Sequence, residues 1–364
     1  MKLPNIDLRE ATRLTREGRL NDALAALKRA LPGMAQDPSA TLDLGAGLGA
    51  GLGAAKDLLN GLGDRLGGLE GLTERVVPKR APLPVPDGAR YEARVHKGEA
   101  GSRTYKLYIP KSYSGRPVPL VVMLHGCSQS PDDFALGTRM NELAEEQNFL
   151  VAYPAQAQSA NFSKCWNWFN AADQQRDQGE PSLIAGIARD IISDLAVDRA
   201  RVNVAGLSAG GAAAAVLGAV YPDLFKAIGV HSGLACGAAR DMPSGFAAMK
   251  HGAPASGRPG AVPTIVFHGD SDTTVNPVNG DHVIAQAKDA PNLRAKSESG
   301  ASKGGMRYTR KVYLDAAGHP AHEHWLLHGA GHAWSGGSAS GSFTEPRGPD
   351  ASREMLRFFR ERAH

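Results

Sequence analysis

Residues 202–211 read Val-Asn-Val-Ala-Gly-Leu-Ser-Ala-Gly-Gly and contain the pattern G-x-S-x-G around Ser208. An apolar strand pattern precedes the motif at 201–204, and a run of small helical residues follows it at 211–220. A serine on a tight turn between a strand and a helix has the context of a nucleophile elbow. The helix N-terminus also offers backbone N–H groups to a developing negative charge. The stretch therefore predicts Ser208 as a catalytic nucleophile.

Strand and helix patterns alternate on both sides of this motif from residue 89 onward. Short apolar strands separated by helices predict an α/β fold with a mostly parallel central sheet and helices on both faces. Short turns join the earliest and the latest strands, which suit antiparallel edges of that sheet. The candidate strands are 91–96, 103–109, 120–124, 150–153, 202–204, 227–230, 264–267, 308–314 and 324–328, and the candidate helices are 131–147, 182–195, 209–220, 278–288 and 351–360.

The first 88 residues have a different texture and predict a separate N-terminal extension, with the catalytic domain at 89–364. Two short helical patterns lie in 7–31, and a strip rich in leucine and glycine follows at 43–72. Glycine disfavours a free helix by about 1 kcal/mol per position. The strip is thus a flexible linker, or a helix that forms only on docking. Alternatively, it settles on a hydrophobic surface such as a polymer granule or a lipid interface, in which case residues 1–72 would form the attachment. A proline-rich joint at 78–88 marks the boundary.

Composition limits the partners of the chain. The formal net charge of the 364 residues is only +4, whereas nucleic-acid binding usually requires a dense basic surface, so we do not expect nucleic acid as a partner. No stretch approaches the roughly 20 consecutive apolar residues of a membrane-spanning helix. The three cysteines are too few for a disulfide scaffold but allow one bridge.

A catalytic serine needs a base and an acid that orients the base. In a fold with a nucleophile elbow, these residues follow in the chain order serine, acid, histidine. After the strand at 264–267, Asp270 and Asp272 both lie on the loop where the acid belongs. Asp272 is favoured because the loop at 268–275, HGDSDTTV, resembles the HGxxDxxV acid loop of many serine hydrolases; Asp270 is the alternative, and otherwise would hold the turn. Further along, His332 lies past a strand in a glycine-rich loop and is the predicted base, whereas His328 falls within the strand and is expected to be a packed or surface histidine.

The segment His322-Glu323-His324 resembles a metal-binding sequence. Residues i and i+2 of a strand share one face, but the further ligands of a structural zinc site are missing from the sequence nearby. We therefore expect no metal and no cofactor.

An acyl-transfer site also needs donors for the oxyanion. The segment His125-Gly-Cys-Ser-Gln129 follows an apolar strand, in the position of the HG-type loop of esterases. The expected donors are the backbone N–H groups of Cys127 and Ala209. His125 is expected to support the loop, because the base lies downstream.

Five blocks in this order, 124–156, 165–169, 202–211, 266–280 and 329–337, resemble the esterase family of poly(3-hydroxybutyrate) depolymerases, which is related to feruloyl and acetylxylan esterases. The resemblance covers about residues 90–364. It implies an α/β-hydrolase fold and hydrolysis of short-chain hydroxyalkanoate esters, polymeric or oligomeric. It also implies Ser208, Asp272 and His332 as the catalytic triad and Cys127 as a contributor to the oxyanion hole.

The same resemblance bears on the compartment and on the cysteines. Family members are commonly exported, but residues 1–20 lack the apolar stretch of a standard secretory signal, so a cytoplasmic location is the alternative. Cys127 and Cys165 both lie in the matching blocks, and we expect a bridge between them that pins the oxyanion loop to the segment 165–169. The alternative is two buried thiols. Cys236 is expected to stay outside any bridge.

Three tryptophans near these blocks are candidates for the walls of a groove that binds the acyl chain: Trp166, Trp168 and Trp334. Core packing is the alternative role for each. Two rival functions remain: a carboxylesterase of feruloyl or acetylxylan type, and a non-catalytic protein that attaches to granules through residues 1–72. For a depolymerase or another carboxylesterase, the expected partner is a polyester or a small ester substrate.

Overall fold

The computed structural model describes residues 83–255, 262–288 and 293–361. All of these residues belong to the second of the two units into which the chain divides, Pro82–His364. The predicted helical segment at 7–31 and the leucine- and glycine-rich strip at 43–72 lie outside the described residues. The domain boundary near residue 88 therefore stays a prediction.

A ten-stranded sheet forms the centre of the described unit, in the order β1-β2-β4-β3-β5-β6-β7-β10-β9-β8. Its strands are β1 (Arg90–Gly98), β2 (Gly101–Ile109), β3 (Val118–Leu124), β4 (Leu150–Pro154), β5 (Val197–Leu207), β6 (Ala227–His231), β7 (Thr264–Gly269), β8 (Arg294–Ala301), β9 (Arg307–Leu314) and β10 (Pro320–Leu327). A second, two-stranded sheet pairs β11 (Trp334–Ser335) with β12 (Thr344–Glu345).

The six strands from β4 to β10 in the middle of the order run parallel, and the flanking strands are antiparallel. This arrangement confirms the predicted mostly parallel sheet with antiparallel edges. Alternate residues of β3 enter two different hydrophobic clusters: Leu120 and Val122 face one, and Val121 and Met123 face the other. Both faces of the sheet are thus covered, which explains why the central strands read as continuous apolar runs.

Helices cover these two faces, and a short 3₁₀ helix lies at Ala172–Gln174. The helices are α1 (Pro131–Thr138), α2 (Met140–Gln147), α3 (Gly179–Asp194), α4 (Ala209–Val220), α5 (Met242–His251), α6 (Val278–Ala287) and α7 (Ala351–Glu361). Among the residues that the structure describes, no helix has both the length and the apolar character needed to cross a bilayer.

One predicted helix is wrong in its extent. The pattern at 131–147 predicts a single helix, but the chain breaks it at Arg139, whose φ of 57° lies in the left-handed region. The Arg139 N–H donates to the Ala135 carbonyl, which ends α1 at Thr138, and α2 begins at Met140. A left-handed residue cannot continue a right-handed helix.

Parallel pairing places the catalytic candidates at the carboxyl ends of the central strands. The loops after β3, β5, β7 and β10 all leave the carboxyl ends of neighbouring or nearly neighbouring strands. In open α/β sheets, ligands bind at this end of the strands. The fold therefore brings the predicted oxyanion loop, nucleophile, acid and base to the same end of the sheet.

Candidate active site

The turn between β5 and α4 holds Ser208 in a strained conformation, with φ 58° and ψ −120°. Neighbouring glycines permit this turn: a β-carbon on Gly210 would overlap the carbonyl oxygen of Leu124, and one on Gly206 would overlap the backbone of Gly210. The Ser208 N–H donates to the carbonyl oxygen of His231 over 2.8 Å. Positive φ at a non-glycine residue persists only where its surroundings enforce it, and this elbow supplies that enforcement.

The structure brings Asp272 and His332 together: the His332 Nδ1 and Asp272 Oδ2 atoms are 2.7 Å apart. The other carboxylate oxygen of Asp272 accepts the N–H groups of Thr274 and Val275, each at 2.9 Å. Burial acts to raise the pKa of Asp272, but hydrogen bonds from His268, His332 and Val275 outweigh it and hold this pKa well below its ordinary value. An ionised Asp272 fixes the proton of His332 on Nδ1 and leaves a lone pair on Nε2, as a general base requires.

Within the described residues, no hydrogen bond joins Ser208 Oγ to His332. Catalytic hydrogen bonds are often long in the absence of substrate and tighten in the Michaelis complex. His231 instead links Ser208 to the segment three residues after His332: its carbonyl accepts the Ser208 N–H, and its Nε2 accepts the N–H of Ser335 over 3.0 Å.

Sequence reasoning missed His231, which supports both the turn of Ser208, the predicted nucleophile, and the loop that carries His332, the predicted base. Its ring is fully buried and stacks between Phe267 and Trp334, with centroid separations of 5.8 and 5.1 Å. Burial lowers the pKa of His231 to about 3, so the ring stays neutral. The residue ends an apolar strand, β6, and nothing in that short pattern distinguishes a supporting histidine from a packed one.

His268 is a second supporting histidine that the sequence did not reveal. Its side chain is completely buried, and its Nε2–H donates to the Val275 carbonyl at 2.9 Å. The same nitrogen lies 3.5 Å from Asp272 Oδ2. The carboxylate of Asp272 therefore lies between two imidazoles, those of His332 and of the completely buried His268.

Asp270, the alternative acid, lies on the same loop but faces a different partner. Its carboxylate contacts the Nδ1 of His328 at 2.9 Å and accepts the N–H of Gly329 at 2.7 Å. His328 lies immediately after β10 rather than within it. The structure thus pairs Asp272, and not Asp270, with His332.

The loop that carries Cys127 is fixed on several sides. A disulfide joins Cys127 to Cys165. Gly126 donates its N–H to Gln129 Oε1 at 2.9 Å, an interaction that sequence reasoning did not foresee. His125 accepts the N–H of Gln156 at Nε2, so its Nδ1–H donates to the Gly126 carbonyl.

Burial lowers the pKa of His125 to about 4, so this ring is neutral and acts as a brace. In the part of the chain that the structure describes, the backbone N–H groups of Cys127 and Ala209 have no acceptor. Ala209 is the first residue of α4, where the helix leaves its N–H groups unpaired. Both groups are free to donate to a substrate oxygen.

The three tryptophans do not line an open groove as predicted. Trp166 is completely buried, and its Nε1–H donates to the His125 carbonyl over 3.0 Å. Trp334 is 1% exposed and packs edge-on against Phe134, and Trp168 is 6% exposed and packs edge-on against Phe169. Trp166 thus connects residues 165–169 to His125, and Trp334 stacks on the ring of His231.

The segment His322-Glu323-His324 does not form a joint ligand set. Glu323 points to the opposite face of β10 from its neighbours, and its carboxylate accepts hydrogen bonds from Arg310 and Arg357 at 2.7–3.0 Å. His324 lies near Asp281, with 3.5 Å between Nδ1 and Oδ1. In residues 83–255, 262–288 and 293–361, no group of three or more acidic, histidine or cysteine side chains is arranged to hold a metal ion.

The sequence of the chain matches the model of a known protein family. A family model described as esterase PHB depolymerase matches residues 103–305, more than half of the chain. The matched range contains Ser208 and Asp272 and ends before His332.

Two curated relatives illustrate the range of names. Poly(3-hydroxyalkanoate) depolymerase C of Paucimonas lemoignei is 34% identical over 235 residues, which cover 60% of this chain and 56% of that protein. Feruloyl esterase B of Thermothelomyces thermophilus is 27% identical over 230 residues, which cover 57% of this chain and 77% of that protein. The chain thus spans little more than half the length of the depolymerase that it matches.

Among solved structures, the acetyl xylan esterase from Aspergillus awamori superimposes with a TM-score of 0.56 at 21% identity, covering 75% of this chain and 99% of that one. An S-formylglutathione hydrolase from Agrobacterium tumefaciens gives a TM-score of 0.50 at 14% identity, covering 76% of this chain and 97% of that one. At these identities the likeness concerns the fold alone, and the chain has the α/β-hydrolase fold.

Proposed function

Because this chain belongs to the esterase PHB depolymerase family, we propose that it is a serine carboxylic ester hydrolase that cleaves poly(3-hydroxybutyrate) or short-chain hydroxyalkanoate oligomers. The observation that carries the proposal is the 2.7 Å contact between Asp272 and His332 at the sheet edge where Ser208 sits on its strained turn. A serine, a histidine and a carboxylate in these roles perform acyl transfer without a cofactor.

In the first half of the reaction, Ser208 Oγ attacks the ester carbonyl and His332 Nε2 accepts its proton. Asp272 stabilises the imidazolium that results, and its depressed pKa keeps it ionised. The proton then passes from His332 to the departing alcohol, and an acyl-enzyme on Ser208 remains. In the second half, His332 Nε2 takes a proton from water, which attacks the acyl carbonyl; the bond to Ser208 Oγ then breaks, His332 returns the proton to Ser208 Oγ, and the carboxylic acid leaves.

The tetrahedral oxyanion formed in each half requires fixed donors. We assign them to the N–H groups of Cys127 and Ala209, which lack other acceptors in the described residues. Loss of one such donor typically costs about 3–4 kcal/mol of transition-state stabilisation. The disulfide at Cys127 and the brace from His125 support this role by limiting movement of the loop.

The second candidate function is hydrolysis of feruloyl or acetyl esters of plant polysaccharides, favoured by relatives with those names. Rates on polymer films, hydroxybutyrate oligomers, feruloyl esters and acetylated xylan separate the two. The polyester proposal requires the hydroxybutyrate substrates to have the highest kcat/KM.

Two further parts of the proposal concern regions outside the described residues. Residues 1–72 are proposed to attach the enzyme to a hydrophobic granule or polymer surface. Export is proposed on the basis of family membership, with the cytoplasm as the alternative. Cell fractionation and sedimentation with polymer granules, with and without residues 1–72, test these points.

The decisive test of catalysis is Ser208→Ala, which should reduce ester hydrolysis by several orders of magnitude and abolish labelling by a serine-directed phosphonate. Ser340→Ala, at an exposed serine of the loop after β11, is the matched control and should keep full activity and labelling. Retained hydrolysis in Ser208→Ala would show that another group is the nucleophile. An unlabelled and inactive parent enzyme would favour the non-catalytic, granule-binding alternative.

A further inference from the structure

A second Asp–His pair lies directly beside the proposed catalytic pair. Asp270 Oδ2 is 2.9 Å from His328 Nδ1, and Asp270 Oδ1 accepts the N–H of Gly329 at 2.7 Å. The side chains of Asp270 and His328 are 36% and 34% exposed. Neither residue has a part in the proton transfers of the proposed reaction.

The hydrogen bonds of this outer pair define the tautomer of its histidine. A carboxylate can only accept, so His328 carries its proton on Nδ1 and donates to Asp270. The remaining lone pair on Nε2 accepts the hydroxyl of Thr309, 2.9 Å away on β9. The pair therefore connects the ends of three adjacent strands, β7, β10 and β9.

The outer pair also joins the two loops that carry the catalytic acid and base. Asp270 is two residues before Asp272, and His328 is four residues before His332. Between these loops the Asp270 N–H donates to the Leu327 carbonyl at 3.0 Å, and the Ser271 N–H donates to the Ala330 carbonyl at 3.1 Å.

The two loops are in close contact at their bases. A β-carbon on Gly269 would overlap the carbonyl oxygen of Ala330. Because so few residues separate the outer pair from the inner one, a shift of either loop changes the distance between Asp272 and His332.

We propose that Asp270 and His328 are positioning residues of the reaction, which hold the two loops in the register that sets the hydrogen bond between Asp272 and His332. This inference rests on the proposed function for its kinetic consequence, but not for its geometric one. The two hydrogen bonds that the Asp270 side chain makes with His328 and Gly329 hold the loops in place, whereas its negative charge does not matter for this role.

Two substitutions at one position separate hydrogen bonding from charge. Asp270→Ala removes both acceptors and releases His328 and Gly329. Asp270→Asn keeps an oxygen for the Gly329 N–H, and its amide N–H can donate to Nδ1 if His328 moves its proton to Nε2. That nitrogen can then donate to the hydroxyl oxygen of Thr309, so the conservative variant restores the connection without the charge.

The experiment compares the full-length parent, Asp270→Ala and Asp270→Asn on 4-nitrophenyl butyrate. We expect kcat of Asp270→Ala to fall about tenfold with KM within twofold, since small misplacements of catalytic groups cost about 10–100-fold. Asp270→Asn should keep kcat within about threefold of the parent. The downfield proton resonance of the His332 Nδ1–H, identified by its loss in His332→Gln, should shift or broaden in the alanine variant only.

A matched control uses another Asp–His pair of the same unit, in which His96 Nδ1 is 2.7 Å from Asp190 Oδ2 on β1 and α3. Asp190→Ala should leave both kcat and the downfield resonance unchanged. An unchanged kcat and resonance in Asp270→Ala would overturn the proposal. Equal losses in the alanine and asparagine variants would also overturn it, because charge would then be the operative property.

Failure of the proposed function gives a different result from failure of this inference. If the parent hydrolyses no ester and is not labelled by the phosphonate, the esterase assignment fails. The resonance of His332 still reports on the register of the two loops in that case, because its measurement needs no substrate.

Discussion

Removing the disulfide between Cys127 and Cys165 should destabilise the catalytic unit by about 4 kcal/mol. The bond joins residues with a sequence separation of 38. Closing a loop of that size removes about 13 cal/mol/K of entropy from the unfolded chain, which is about 4 kcal/mol at 25 °C. The double substitution Cys127→Ser/Cys165→Ser removes the bond while keeping similar side-chain volumes.

The folded state should survive this substitution with a looser oxyanion loop. Hydrogen bonds from Ser128 N–H to the Ser163 carbonyl and from Trp166 Nε1–H to the His125 carbonyl still connect the same two segments. They do not restrain the Cys127 N–H itself. We therefore expect kcat on 4-nitrophenyl butyrate to fall by up to about 100-fold, somewhat less than the loss of a complete oxyanion donor.

Urea unfolding of the full chain, followed by tryptophan fluorescence, measures the loss of stability. Cys236→Ser, which leaves the disulfide intact, is the matched control for removing a thiol. A difference below 1 kcal/mol between parent and double variant would refute the reasoning about the loop. The chain has three cysteines and the structure joins two of them, so one thiol should titrate in the denatured, unreduced parent. Three titrating thiols would also refute the reasoning.

Two further predictions concern stability. Glu323→Gln should lower the free energy of unfolding, measured in urea, by about 3–5 kcal/mol, because Arg310 and Arg357 would lose the carboxylate of a fully buried Glu323. The control Glu298→Gln, at an exposed partner of Arg310, should lower it by less than about 1 kcal/mol. Equal losses in the two variants would contradict this explanation. The free energy of unfolding should also fall as the pH drops from about 6.5 towards 4. Burial lowers the pKa of His125 to about 4 and that of His231 to about 3 in the folded protein, so in this pH range the two histidines bind protons only in the unfolded chain. Each histidine should therefore contribute a loss of up to about 1.4 kcal/mol per pH unit. Equal urea midpoints at pH 7 and pH 5 would contradict the second prediction.

The sequence predicted the parts of the fold that depend on local pattern. Apolar runs located each central strand, although β5 begins five residues and β10 four residues before the predicted start, and the glycine and serine pattern located the elbow after β5. The strand β8 was missed because its sequence, Arg-Ala-Lys-Ser-Glu-Ser-Gly-Ala at 294–301, contains no large apolar residue and is exposed except at Gly300. The helix α5 was missed as well, although Asp241 and Ser244 form a capping box at its start.

Properties that depend on distant contacts could not be obtained from pattern. Ser335 follows His231 by 104 residues, and their hydrogen bond exists only after the sheet has formed. A tryptophan beside a catalytic motif has the same sequence signature whether it lines a groove or packs beneath a loop. Only the burial of Trp166 and Trp334 distinguishes the two roles.

The missed strand β8 has a consequence for how the sheet ends. In the part of the chain that the structure describes, β8 and β1 each have one neighbouring strand and form the two borders of the ten-stranded sheet. Both carry outward charges, Arg294, Lys296 and Glu298 on β8 and Arg90 and Glu92 on β1. Charged border strands discourage the addition of a strand from another molecule. The polarity that hid β8 from pattern recognition is thus a safeguard against self-association into aggregates.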